Sequence, residues 1–189
     1  MKVGTKSVLF GVHCFFIHPF FVFAGWWKLY GFPYDPRLWV AFIVHDLGYW
    51  GMPNMDGEEG ELHPYFGAKI MRFLFGKEWY GFTLYHSRFL AKRENAQYSK
   101  LCVADKLAIG LTPTWMYLPM ANLTGEIHEY MGIASIQTSG AIEEDLSQAK
   151  WHKAVREYCS KWAWEHKDCR QDSWMPETRR KFLGKNEFD

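Results

Sequence analysis

Phe42-Ile43-Val44-His45-Asp46-Leu47-Gly48 is the stretch on which the reading of this chain turns. It closes a run, Leu38, Trp39, Ala41, Phe42, Ile43 and Val44, that is apolar on every side. A helix from Arg37 to about Leu47 with no polar face belongs at the centre of a fold rather than on its surface. Asp35-Pro36 opens it, with a carboxylate for the N-cap and a proline suited to the first helical position. The run ends on an imidazole beside a carboxylate. A pair of that kind is expensive to bury unless it is ion-paired or binds a metal.

The same helical grammar extends in both directions. Upstream, His18 to Tyr30 is apolar after Pro19 and is stopped by Gly31-Phe32-Pro33. From Ser7 to Trp27 no residue is charged, which superficially looks like a signal peptide or a membrane span. His13, His18 and Pro19 interrupt that run and no small-x-small cleavage site follows it, so a buried helix pair is expected and no membrane partner. Downstream, Gly48 to Leu62 is a glycine-rich loop made acidic by Glu58, Glu59 and Glu61; its Trp50–Gly60 part is placed to narrow a site or form a lid. Further helices are expected over about Pro64–Phe75, Trp79–Leu90 and Ser99–Leu111, then near Thr124–Met131, and finally over about Ala141–His166, where Trp151, Val155, Tyr158 and Trp162 recur at helical spacing. Strand signals are scarce. The fold class is therefore all-α: a bundle of five core helices within residues 1–122, and a C-terminal helical extension over 123–189 packed on the same core. Its last twenty residues are charged and expected to be loosely held.

Bulk composition narrows the function. Lysine and arginine number 22 against 21 acidic residues, which gives no electrostatic case for a nucleic-acid partner. Aromatic residues make up 19% of the chain. Most should pad the core, although rings lining a pocket could stack on a base for roughly 1–3 kcal/mol each. The four cysteines form no C-x-x-C pair, and reduced thiols in a cytoplasmic compartment are the simpler expectation.

The chemistry concentrates in His18, His45, Asp46, His63, His86 and Asp105. Each lies on a different predicted helix or helix end, His45 and Asp46 together; steps of about twenty to thirty residues let neighbouring helices of a bundle each project a ligand inward. Imidazole with carboxylate suits iron, manganese, cobalt, nickel or zinc, and the lack of cysteine ligands argues against a structural zinc. Six ligands exceed the needs of one catalytic ion; two divalent first-row transition metal ions bridged by one carboxylate would use them all. His13 competes with His18, and His18 is preferred because it is closer to the helix that leads into the Asp35 turn. His128, His152 and His166 lie on polar helices and read as surface residues. Arg88, Lys92 and Arg93 follow His86 closely and suit phosphate oxygens, with a solvated helix end as the alternative. Lys69, Arg72 and Lys106 are weaker candidates of the same kind. Tyr49 and Trp50 either touch substrate or close the core.

The His45-Asp46 string, with His18 upstream and His63-Pro64-Tyr65-Phe66-Gly67-Ala68, Tyr85-His86-Ser87 and Ala104-Asp105-Lys106 downstream, resembles the signature of the HD superfamily of metal-dependent phosphohydrolases over roughly residues 10–112. His63 and His86 resemble the extra ligands of its two-metal members, which include cyclic-dinucleotide phosphodiesterases, diadenosine tetraphosphate hydrolases and oxygenases similar to inositol oxygenase. The resemblance implies that His18, His45, Asp46 and Asp105 hold one ion, and that Asp46 bridges to a second held by His63 and His86. It implies His45, Asp46 and Asp105 as the catalytic core, and water activated by metal as the nucleophile. Substrate contacts would fall to Arg88, Lys92, Arg93 and Tyr49. Tyr49 stands where the cyclic-dinucleotide enzymes usually have lysine, and their GYP tripeptide is missing, which separates this chain from that subfamily. The expected function is hydrolysis of a phosphoester or phosphoanhydride bond in a nucleotide-like, phosphorylated small molecule. A mixed-valent di-iron oxygenase and a non-catalytic nucleotide sensor are the alternatives. Oligomeric state stays open, a homo-oligomer included.

Overall fold

A computed structural model describes residues 1–138, 140–143 and 145–170, with 135–137 as backbone only. Among these residues there is no strand, and the chain is all-α as expected. The helices are α1 (Val3–Phe10), α2 (His18–Tyr30), α3 (Pro36–Val44), α4 (Pro64–Phe75), α5 (Lys77–Leu84), α6 (Arg88–Arg93), α7 (Lys100–Leu111), α8 (Thr114–Thr124), α9 (Ile127–Gln137) and α10 (Gln148–Glu165). Short 3-10 turns at Leu47–Tyr49 and Gly60–Leu62 bracket the acidic loop. The expected loose tail, and the end of the C-terminal extension with it, lies outside the described residues.

The framework is set by α2 lying along α7, α4 against α5, and α10 against the other side of α7. Val22 and Trp26 of α2, Leu38, Ala41, Phe42 and Val44 of α3, Met71 of α4, and Leu101, Ala104 and Ala108 of α7 form the main core. A Cβ at Gly25 would stand 2.5 Å from the Ala104 carbonyl oxygen. Only glycine lets α2 and α7 approach so closely, and that approach sets His18, at the start of α2, beside Asp105 on α7.

Helix α3 starts as expected, with the Asp35 carboxylate accepting from the Arg37 backbone N–H at 2.9 Å. It is less central than its sequence suggests. Ile43 is 48% and Trp39 38% exposed, because α3 packs on α2 and α4 and leaves its third side to solvent. Trp39 recovers some cover by stacking on Phe23, with ring centroids 4.7 Å apart. Two boundaries also differ. The predicted helix over Trp79–Leu90 is two helices, α5 and α6, broken at Tyr85–Ser87, where the Ser87 hydroxyl accepts from Leu90 N–H and caps α6. The last helix begins at Gln148 rather than near Ala141.

No helix among the described residues is long and apolar enough to cross a membrane; the uncharged N-terminal run is divided into α1 and α2 by a turn. The four cysteines are free and buried.

Candidate metal centre

All six predicted ligands converge. His45 and Asp46 sit just beyond the end of α3, in the turn that leads to Leu47, so their side chains leave the helix axis and face the interior. Gly48 makes the next step possible. A Cβ there would lie 1.9 Å from the His63 carbonyl oxygen, so only glycine lets the His45-Asp46 turn touch the start of α4. His63 precedes Pro64 at that start and makes no side-chain cap. His86 comes from the α5–α6 break, and Asp105 from α7.

The side chains form two groups able to hold a metal ion: His18, His45, Asp46 and Asp105, and Asp46, His63 and His86, with the ligand atoms of each group within 4.8 Å of one another. Asp46 belongs to both. Its Oδ2 is 3.3 Å from His18 Nε2 and 3.1 Å from His45 Nε2, while its Oδ1 is 3.4 Å from His63 Nε2 and 3.3 Å from His86 Nε2. Asp105 Oδ1 is 2.9 Å from His18 Nε2 and 3.9 Å from His45 Nε2.

Three of the four imidazoles are oriented by the backbone. Nδ1 of His45 donates to the Phe42 carbonyl (3.0 Å), that of His63 to Gly60 (2.7 Å) and that of His86 to Thr83 (2.7 Å). Since a carbonyl only accepts, each Nδ1 carries a proton, and each ring turns its Nε2 toward Asp46 as the atom available to a metal. This carbonyl lock is the usual outer support of a metal-binding histidine.

Two features fit these residues to cations. His63 Nε2 and His86 Nε2 stand 3.1 Å apart, where two lone pairs repel unless a positive charge lies beside both. Two nitrogens bonded to one ion at roughly 2.1 Å lie about 3 Å apart when the bonds are at right angles, close to the spacing seen. Second, His45 Nε2 and Asp46 Oδ2 are buried and neither has a hydrogen-bond partner among the described residues, although they approach to 3.1 Å. Orphaned buried polar atoms are costly, and a shared ion satisfies both.

The electrostatics agree. Burial favours a protonated Asp46, but His45, with His63 and His86, outweighs it and holds the carboxyl well below the usual range. Burial likewise opposes the charge on Asp105, and the hydrogen bond with His18, with His45 nearby, prevails and lowers it. Burial would depress His45, yet Asp46 and Asp105 push it up to about 10, while burial and the neighbouring His86 bring His63 down to about 4 despite Asp46. The centre thus carries two carboxylates that attract positive charge, beside an imidazole, His63, kept neutral.

A cavity of about 200 Å³ opens onto the centre. Arg88 and Tyr49 line it, as does Lys106, whereas Lys92 and Arg93 do not. One turn of a short helix separates them: Arg88 has its guanidinium 5.0 Å from the Trp162 ring, but Arg93 reaches the other way, to the Tyr65 hydroxyl at 3.0 Å and toward Glu94. Lys69 and Arg72 are exposed and also outside the lining. Tyr49 is buried and stacked on His63, with centroids 3.8 Å apart, whereas Trp50 is 60% exposed. The acidic loop reaches the cavity through Asp56 and Glu61 and is tied down: Glu129 accepts from the backbone N–H groups of Met55 (2.8 Å) and Asp56 (3.2 Å).

His13, the rival of His18, is not in either ligand group. It lines the cavity with its Nδ1 3.0 Å from Ser7 Oγ and 3.6 Å from Glu126 Oε2. His128 is exposed as expected, but His152 and His166 are buried. His152 stacks on Tyr117 at 4.1 Å and meets Thr114 Oγ1 at 3.0 Å; His166 stacks on Trp162 at 4.3 Å. Aromatic partners on neighbouring turns and helices cover both rings, which the polarity of their own helix does not reveal. Sequence reasoning also missed Trp151 and Tyr117 as cavity walls.

Comparison of the chain with protein-family models, with curated proteins and with solved structures gives no match.

Proposed function

We propose that this chain is a metal-dependent phosphohydrolase of the HD type, cleaving a phosphoester or phosphoanhydride bond of a nucleotide-like small molecule. The observation that carries the reading is the division of the Asp46 carboxylate, one oxygen toward His18 and His45 and the other toward His63 and His86. A buried carboxylate shared in this way fits two divalent first-row ions, with Asp105 completing the first group. Bound there, such ions supply an acidified water and electrophilic assistance at phosphorus.

The chain's own residues account for the rest. The carbonyl locks on His45, His63 and His86 keep the ligand nitrogens in place without reorganisation. Arg88 and Lys106 offer cationic donors to phosphate oxygens from the wall of the same cavity. Tyr49, stacked on His63, closes one side and restricts water. No thiol in the cavity competes as nucleophile: burial pushes Cys102 up to about 12 and raises Cys159 as well, so both stay protonated near neutrality. That favours direct attack by water over a covalent intermediate. The nucleotide-like substrate class comes from the HD resemblance.

The test is phosphate release from a panel of nucleoside phosphates and 4-nitrophenyl phosphate, with each of Mn, Fe, Co, Ni and Zn, beside an oxygen electrode. Metal-dependent phosphate release that disappears in Asp46→Ala supports the proposal. Iron-dependent oxygen uptake without phosphate release replaces it with the di-iron oxygenase. Tight nucleotide binding with no turnover under any metal replaces it with the sensor.

A further inference from the structure

On the side away from the core, α2, α3 and α4 leave large apolar side chains in solvent. Phe20 (69% exposed) and Trp27 share one stripe of α2, and Phe16 continues it just before the helix. The solvent side of α3 holds Trp39 and Ile43 at i and i+4, and that of α4 holds Phe66 and Phe73 at i and i+7, with Phe73 89% exposed. The stripes adjoin. Phe23 stacks on Trp39 and has its ring centroid 5.6 Å from that of Trp27, while Phe32, in the turn between α2 and α3, lies 5.7 Å from Trp27 and 5.0 Å from Tyr34. On the other flank a Cβ at Gly67 would stand 2.3 Å from the Val44 carbonyl oxygen, so α4 closes on the end of α3. Phe66 and Ile43, the sequence neighbours of that pair, border the same seam. The uncharged N-terminal run is thus buried on one side only. A continuous apolar face of this kind marks contact with another body.

Charge decides which body. The three helices carry Lys28, Arg37, Lys69 and Arg72, all exposed, and no acidic residue. The whole chain balances 22 lysines and arginines against 21 acidic residues, so the excess belongs to this face. Asp35, just before α3, is bound to Arg37 at 2.6 Å. A second copy meeting the face symmetrically would set these cations against themselves, with no carboxylate on the three helices to pair them. A bilayer of anionic lipid supplies the opposite charge, and its headgroup region is the setting that Trp and Tyr favour. No described helix is long and apolar enough to cross a membrane, so the contact is with the surface of the bilayer.

We propose that the α2–α3–α4 face docks on an anionic lipid bilayer. Phe20, Trp27, Ile43 and Phe73 enter the headgroup region, and Lys28, Lys69 and Arg72 meet lipid phosphates around them. The proposal does not depend on the hydrolytic reading, because the cavity takes no lining residue from α3 or α4.

The experiment is co-sedimentation of the full chain with vesicles of phosphatidylcholine alone and of equal parts phosphatidylcholine and phosphatidylglycerol, beside its molar mass in solution by light scattering. The chain should bind the mixed vesicles about tenfold or more tighter than the neutral ones, since each basic side chain near an anionic surface contributes about fivefold. High salt should narrow that gap. Lys28→Gln with Lys69→Gln should weaken binding to mixed vesicles about tenfold or more. Phe20→Ser with Phe73→Ser should do the same through lost apolar contact. All four side chains are exposed, so both variants should keep the Tm of the parent, which separates lost docking from lost folding. No binding to mixed vesicles, equal binding to both kinds, or binding that either double variant leaves unchanged overturns the proposal. A dimer in solution that Phe20→Ser with Phe73→Ser dissociates also overturns it and assigns the face to a second copy of the chain.

Discussion

Gly48→Ala tests how the two halves of the centre are joined. The added Cβ would lie 1.9 Å from the His63 carbonyl oxygen, 2.7 Å from its carbon and 3.0 Å from its Cα. All three are backbone atoms, so no side chain can swing aside. Restoring ordinary contact at 3.4 Å requires about 1.5 Å of separation between the His45-Asp46 turn and the start of α4. Overpacking of this kind costs about 1–3 kcal/mol. In a domain of this size each kcal/mol shifts Tm by about 2–4 °C, so a fall of about 2–12 °C is expected in chelator, where metal loss cannot contribute. The larger consequence is for binding. Metal–ligand distances tolerate about 0.2 Å, far less than the shift forced on His63. Reconstituted Gly48→Ala should therefore lose the ion of the Asp46, His63 and His86 group and keep the one held by His18, His45, Asp46 and Asp105. A variant that melts within about 1 °C of the parent and keeps both ions would refute the reasoning.

Two further outcomes follow from other parts of the structure. Glu126 accepts from Ser7 Oγ, Val12 N–H, Thr124 Oγ1 and Tyr130 OH, and replacing it by Gln leaves donors facing a donor, so Glu126→Gln should cost about 1–3 kcal/mol in denaturant unfolding at pH 6. Burial opposes the charge on Glu126, but His13, Ser7 and the Val12 N–H lower its pKa; burial opposes the charge on His13, but Glu126, with Asp46 and Asp105, leaves it raised. The Glu126 contribution is present above the ordinary carboxylate range and lost as pH falls through its depressed value; that of His13 is present below the ordinary imidazole value and lost as pH rises through its raised one. The deficit of Glu126→Gln should thus be greatest between those limits and shrink on both sides, and a deficit independent of pH contradicts the pairing. Separately, chelation should lower the Tm of the metal-loaded protein by about 11–22 °C, the equivalent of about 2.7 kcal/mol for each of two ions supplied at 100-fold over its Kd. An unchanged Tm would mean that the native state gains nothing from the ions.

Much of this was legible in the sequence because its signals are local or depend on residue type. Asp35-Pro36 caps α3 as read, α4 runs from Pro64 to Phe75 as read, and His45-Asp46 stood out as a costly pair at an apolar helix end, with His18, His63, His86 and Asp105 spaced along the neighbouring helices; all six fall in groups able to hold a metal ion. What escaped depends on packing. Ser87 is a cap residue in plain view, yet Phe82-Thr83-Leu84 before it and Phe89-Leu90-Ala91 after it read as one apolar helix. Lys92 and Arg93 share a short basic stretch with Arg88, but sequence proximity does not fix a helix face, and Arg93 finds Tyr65 and Glu94 instead. His152 looks like a surface residue until α8 brings Tyr117 and Thr114 against it. The cavity wall formed by Trp151, Val155 and Tyr158 exists only because α10 crosses α7 and α8, a contact between segments that no motif connects.

Metal content per chain, measured after reconstitution of the parent, His86→Ala and Asp46→Ala proteins, bears most directly on the centre. Because Asp46 joins both ligand groups and His86 only one, the parent should hold about two ions, His86→Ala about one, and Asp46→Ala essentially none. Equal metal content in the parent and Asp46→Ala, or the same loss in both variants, would contradict a centre built around a shared carboxylate.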